Sequence, residues 1–474
     1  MSINRPMNFL RFVAEIIMLG SAIFVQAVSA QTSSGAQTVA TTGVSQPERQ
    51  EISIGSVHVR EIEPGLTLPI DLPTALAFAG ARNLDVLEAK ARAAEAVALR
   101  DEALGKLVPT AYGSGLFFGQ KTSGQTQGYF TDLGRSFDRV NSAGGAELSL
   151  NPAQAIFAAL AAHRSAAAAS KETSQVTQET LASAASGYFA LLETRAEVQI
   201  ADQALEASRE LQSVAESRES LGRGLKVDVL RAAALAATDR IHLSQAGERL
   251  RNASVQLALL LRIDPKVTLV PIDTTIRQTP LVDINRGLDD LLREAFALRP
   301  ALRAESDRVE AAKNNRAAAW ASAIAPSIYT NFQANTVGDI GSHQFSVGSI
   351  GLRLSLTSFG AANAAGAELT QENIRRERVQ QQVEAEVITS CDRVQTAAEE
   401  VGAAMEGLKA AETALDLSET RFQGGKGIEL EVLDANAALT EAHYNVVAAI
   451  VGYNIAQVRL LQAMGAVSPE ALVK

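Results

Sequence analysis

From Pro152 to Leu221 the chain runs roughly 70 residues without another proline, and from Ala361 to Phe422 it does so again. Asn151-Pro152 heads the first stretch with an N-cap and a proline at the first helical position, where its missing N–H costs nothing. At 1.5 Å per residue the first stretch is a helix of about 100 Å. Such a helix cannot turn back inside a globule; it must lie sideways against other long helices. Ala166-Ala-Ala-Ala169 keeps helix propensity high and lets neighbours approach closely. Aromatic residues make up only 5%, with a single tryptophan, Trp320. Helices packed through alanine need few rings.

The long stretch belongs to a unit written twice. Arg218, Gly222, Asp228, Val229, Leu230 and Ala232 recur 203 residues later as Arg421, Gly425, Glu431, Val432, Leu433 and Ala435, and Gly224 falls on Gly427. Leu72-Pro-Thr-Ala-Leu76, followed by Asn83 and ending at Pro109, parallels Leu288-Asp-Asp-Leu-Leu292, followed by Arg299 and ending at Pro326, at a different offset. Leu148-Ser-Leu150 and Leu354-Ser-Leu356 each head an alanine-rich run. The order in each half is helix, strand, loop, strand, long helix, tip, helix. Asp71 caps the first helix, expected to run to about Val108, where Pro109 stops it.

The first thirty residues read as an export signal. Arg5 and Arg11 precede an apolar stretch from Ile16 to Val25, and Val28-Ser29-Ala30 supplies small residues for cleavage after Ala30. Ten apolar residues are too few to cross about 30 Å of hydrocarbon. No later segment reads as a continuous apolar run long enough for a membrane helix, so any crossing must be by strands. The expected organisation is a signal peptide (1–30), a polar tail (31–66), repeat 1 (67–270), a linker (271–287), repeat 2 (288–467) and a short tail (468–474). Strands are expected at about 110–120, 143–151, 327–337 and 345–357, with tips at about 218–228 and 421–431. Ile350, Leu352, Leu354 and Leu356 alternate with Gly351, Arg353 and Ser355, the apolar-out, polar-in pattern of a barrel strand, although a half-wet soluble sheet shows it too. Four strands cannot close a membrane barrel, so several chains would have to share one.

Composition removes other classes. With 43 basic and 53 acidic residues the net charge is −10, which argues against a nucleic-acid binder. One cysteine, Cys391, permits no internal disulfide, and five histidines are scattered without metal-ligand spacing. Cys391 falls opposite Tyr188 in the repeat alignment and reads as a packing residue; His443, near Glu441, does not read as a site. No nucleophile, base and orienting group can be nominated, so the chain reads as a non-enzyme without cofactor or metal.

Arg421-Phe-Gln-Gly-Gly425 through Glu431-Val-Leu-Asp434-Ala-Asn436, then Ala442, Tyr444 and the Leu460-to-Gly465 ending, resemble the TolC family of outer-membrane efflux proteins. The likeness runs from about Leu68 to Val467. It implies a mainly α fold with a small β part: a duplicated unit of long antiparallel coiled-coil helices forming an α-barrel. Each chain would give four transmembrane β-strands to a trimer that completes a 12-stranded barrel. It implies a homotrimer in outer-membrane lipid, partnered by a periplasmic adaptor (membrane fusion protein) and an inner-membrane transporter of an efflux or type I secretion system. The family's acidic pair at the periplasmic constriction falls here on Glu431 and Asp434, three apart and so on one side of a helix. Two acids early in a helix also favour its N-terminus wherever they sit. Arg218, Gly222, Asp228, Arg421, Gly425 and Lys426 mark the tip turns and the expected adaptor-docking surface. Where TolC proper has a basic residue linking tips, this chain has Gly427, with Lys426 beside it. Arg353, on the inferred lumen face, could tune permeant charge or be solvated decoration. The rival class is a periplasmic helical-hairpin adaptor or scaffold, which normally has one hairpin with separate β-domains.

Overall fold

The computed structural model describes residues 67–108, 110–120, 137–273, 275–283, 286–338, 343–353 and 359–473. The expected signal peptide, the polar tail, most of the loop between the first two strands, and Leu354 to Leu356 lie outside the described residues. The described chain begins with strand β1 (Thr67–Ile70), then helices α1 (Leu72–Arg82) and α2 (Leu84–Gly105). Strands β2 (Thr110–Gln120) and β3 (Phe137–Leu150) lead to the long α3 (Pro152–Ser220), which returns as α4 (Lys226–Leu260). Strand β4 (Thr268–Pro271) precedes α5 (Leu288–Leu298) and α6 (Pro300–Ile324). Strands β5 (Ser327–Gly338) and β6 (His343–Arg353) then lead to α7 (Phe359–Gln423), α8 (Glu429–Ala463) and the short α9 (Pro469–Leu472).

The long helices start and stop where the chemistry directs. Asn151 Oδ1 accepts from Gln154 N at 3.0 Å, capping α3, while its amide donates to Ala321 O and Ala325 O at 3.1 and 3.0 Å. One side chain thus begins α3 and ties it to the end of α6. α3 packs against α2, α4, α6 and α8, and α7 packs against α5, α6 and α8.

One expectation is corrected. The helix read as continuous from Asp71 to about Val108 breaks at Asn83, whose extended backbone (φ −60°, ψ 137°) ends α1 and starts α2. Asn83 Oδ1 accepts from Asp85 N at 2.8 Å, and its amide donates to Leu260 O, the last residue of α4, at 3.0 Å. Repeat 2 makes the same joint with another side chain: Arg299 separates α5 from α6, donates to Gln462 O near the end of α8, and pairs with Glu386 of α7 at 2.7 Å.

Large buried side chains gather around this joint. Tyr188, Leu191, Leu257, Leu261, Leu269, Leu291, Leu460 and Met464 are all buried there, and each such leucine contributes about 1.5–3 kcal/mol by leaving water. Half-buried Cys391 packs on the same core, where burial and then the Asp392 charge push its thiol up. Above and below this belt, α3 buries mainly alanine. β1 and β4 pair in parallel here, Thr67 opposite Thr268 and Ile70 opposite Pro271. The segment after β4 is strapped to α8 through its backbone. Buried Asn454 accepts from Thr279 N at 2.9 Å and donates to Arg277 O at 2.8 Å, and Gln457 accepts from Leu281 N and Val282 N at 3.1 and 2.8 Å. Tyr188 donates to Asp273 at 2.6 Å; burial and then that carboxylate hold its phenol protonated.

The absence of a later membrane-length apolar run needs qualification. Among the described residues α8 is long and apolar enough to cross a membrane, but half of that stretch is buried in the protein. Its hydrophobicity is spent on the bundle.

The other four strands form one antiparallel sheet in the order β2-β3-β5-β6. Leu150, Ile328 and Leu352 lie in one cross-strand row, as do Leu148, Thr330 and Ile350 in the next row on the same face. Ile350 and Leu352 are 81% and 72% exposed. The opposite face carries Ser149, Tyr329 and Gly351 in one row, with Ser327 paired to Arg353. Tyr329 lies over Gly351, where a Cβ would stand 2.3 Å from the ring, and Arg353 sits 5.7 Å from the ring centroid.

Candidate functional site: the paired helix tips

The two tips are built alike. At the first, Gly222 N donates to Glu219 O at 2.9 Å and Arg223 N to Arg218 O at 2.9 Å; at the second, Gly425 N donates to Phe422 O at 3.1 Å and Lys426 N to Arg421 O at 2.9 Å. This double closure satisfies the last helical carbonyls and needs a left-handed residue, which Gly222 (φ 71°) and Gly425 (φ 69°) supply. Two residues on, the chain doubles back onto its own helix end. A Cβ at Gly224 would lie 2.9 Å from Glu219 N, and one at Gly427 would lie 3.0 Å from Phe422 N.

Side chains break the symmetry. In repeat 1 the positions equivalent to Glu431 and Asp434 hold Asp228 and Arg231, which pair at 3.6 Å. Only repeat 2 therefore carries two acids there. Both Glu431 and Asp434 are exposed, while Val432 and Leu433 between them are buried. Arg421 Nε lies 3.5 Å from Glu431 within the same hairpin. Asp434 has no ion-pair partner among the described residues. Lys426 is exposed, engaged through its backbone N–H alone.

Arg218 reaches the other tip: its guanidinium stands 4.2 Å from the Phe422 ring centroid. Leu433 joins Ala215, Val229 and Ala232 in a small apolar cluster, so the second tip is seated on the first. Beside them Glu429 is 8% exposed, with Oε1 unpartnered. Burial first, then the Asp228 charge, raises its carboxyl above the usual range, against a smaller lowering by Arg218. Sequence reasoning missed Glu429 and Phe422. Their repeat-1 counterparts are Lys226 and Glu219, which lie 3.9 Å apart as an ion pair, and that failure of the repeat was the available signal. Among the described residues, no three His, Cys, Asp or Glu side chains converge as metal ligands.

Residues 291–466, nearly all of repeat 2, match the family model described as outer membrane efflux protein. Repeat 2 carries the domain of this family. Solved channels share the chain's fold throughout. The outer membrane protein VceC from Vibrio cholerae superposes with a TM-score of 0.72 at 19% identity, covering 83% of this chain and 96% of that one. The open-state MtrE outer membrane channel from Neisseria gonorrhoeae gives 0.69 at 18% identity, covering 83% and 88%. CusC, described in terms of folding and transmembrane channel formation, gives 0.74 at 19%, covering 85% and 94%. No curated protein sequence matches. The match of repeat 2 sets the chain among outer membrane efflux proteins, and the solved structures that share its fold are outer-membrane channels.

Proposed function

We propose that the protein is a passive, gated exit duct, the outer-membrane component of a tripartite efflux or type I secretion system. The observation that carries this reading is the four-stranded sheet. Its order leaves β2 and β6 as edges, each antiparallel to its neighbour, so that β6 of one copy can pair antiparallel with β2 of the next. Lipid tolerates no open sheet edge. Three copies would close twelve strands with the Ile350–Leu352 face outward and the Tyr329–Arg353 face lining the lumen, above an α-barrel of the long helices. An inner-membrane transporter would supply energy through a periplasmic adaptor, whose helical hairpin would dock at the turns around Gly222 and Gly425.

At the tips, three copies would bring Glu431 and Asp434 around one axis. Such a ring attracts cations, repels anions and can hold a divalent ion across the path. Arg421 offsets part of the Glu431 charge, so Asp434 would carry most of the free field. Purified protein in planar bilayers should show a small cation-selective conductance that divalent cations block. The Glu431→Ala, Asp434→Ala double variant should lose the block; unchanged block would remove these residues from the gate.

A further inference from the structure

The ends of α2 and α6 carry the same order of side chains, exposed throughout on α6 and partly exposed at α2. On α6 the residues Arg316, Trp320 and Ile324 follow at intervals of four and are all exposed. At the 216-residue offset that relates Asn83 to Arg299 stand half-buried Arg100 and exposed Leu104 on α2, and Val108 just beyond its end. The side chains are ordered alike: a guanidinium, then a large apolar group, then an aliphatic one nearest the strand. Val108 and Ile324 are 62% and 59% exposed. Four residues beyond Ile324 comes Ile328, in the apolar row of the sheet with Leu150 and Leu352. Phe359, at the start of α7, is also exposed and meets Trp320 edge-on, with centroids 6.1 Å apart. Arg316 has no ion-pair partner among the described residues, and Arg100 pairs only with its neighbour Asp101 at 2.7 Å.

Trp320, Ile324 and Phe359 adjoin the exposed apolar sheet face, and a contiguous apolar patch of this kind marks an interaction surface. Four helical residues rise about 6 Å. A bilayer of about 40–45 Å with a hydrocarbon core of about 30 Å has headgroup layers of comparable depth, where arginine meets phosphate and tryptophan lies between water and acyl chain. We propose that the ends of α2 and α6 form a phospholipid collar. Arg100 and Arg316 take the phosphate level of the periplasmic leaflet, Leu104 and Trp320 the headgroup layer, and Val108 and Ile324 the upper acyl chains. The membrane boundary then lies on the helices, two turns below the strands. This rests on the reading that the apolar sheet face meets lipid.

Trp320 is the one tryptophan in 474 residues, so the unmodified full-length protein reports on itself. It would be reconstituted in phosphatidylcholine vesicles brominated either near the top of the acyl chains or near the bilayer centre. The expected result is loss of Trp320 emission in both, greater with the shallow bromines. In a Trp320→Phe background, Leu104→Trp should repeat that depth, while Ile350→Trp should be quenched more by the deep bromines. Ile350→Trp quenched with Trp320 unaffected overturns the collar alone, whether Trp320 emission is red, from water, or blue, from a neighbouring chain. Neither quenched overturns the collar and the membrane-spanning sheet together.

Discussion

Position 427 shows how little room a helix turn leaves. The family's basic tip residue would need a Cβ there, and the backbone N of Phe422 already stands 3.0 Å from that point. Gly427→Arg is therefore expected to lower the thermal midpoint, by the equivalent of about 1–3 kcal/mol, rather than add a bridge. A variant as stable as the parent would show that the turn can yield. The opposite case is Arg262, the one non-glycine residue among those described with a positive φ (56°). It occupies in repeat 1 the left-handed position that Gly465 occupies in repeat 2, with Ile263 N donating to Ala258 O at 2.8 Å. Arg262→Gly should stabilise the fold by about 1 kcal/mol in thermal or denaturant unfolding, because arginine meets a Cβ clash there that glycine avoids. The glycines at 222 and 425 were legible because they recur within a motif. Arg262 itself gives no local sign of left-handed backbone; only the 203-residue offset, which sets it on Gly465, marks the position.

Between elements, the seat of the second tip on the first depends on groups that the repeat alignment alone would have paired differently. Glu429 is buried among Arg218, Asp228 and the apolar cluster, with its carboxyl raised above that of the unfolded chain. The folded state then holds a proton that the unfolded state has released. Stability is greatest below the ordinary glutamate value of about 4.3 and falls as pH rises toward the raised value, above which it is constant. Glu429→Gln should flatten that dependence and leave the tips more tightly seated at neutral pH, measured by hydrogen exchange over residues 421–433 against pH. An unchanged profile would assign the dependence elsewhere. Helix ends were legible wherever a cap and a proline coincide, as at Asn151-Pro152. The break at Asn83 was passed over because Asn-Leu-Asp can continue a helix as readily as cap one, and its decisive bond goes to Leu260, far along the chain. Strands β1 and β4 carry Pro69 and Pro271, which argue against strands by local rules. They are tolerated because a two-stranded sheet consists only of edges.

At the scale of the molecule, the alternation around Ile350 and Leu352 was readable, since one face must differ chemically from the other. Which strand flanks β2 and β6 was not, because edge pairing is settled outside the chain. Light scattering in detergent should give a protein mass three times that of the chain that follows Ala30. A monodisperse monomer would leave the sheet edges open and contradict the shared barrel. The strap between the repeats carries a different lesson. Asn454 and Gln457 grip Arg277, Thr279, Leu281 and Val282 entirely by main-chain atoms. Those bonds do not read side-chain identity, but Leu281 and Val282 also pack on the core, so at this junction exposed Arg277 is free to vary while the length, the apolar pair and the two gripping amides are constrained.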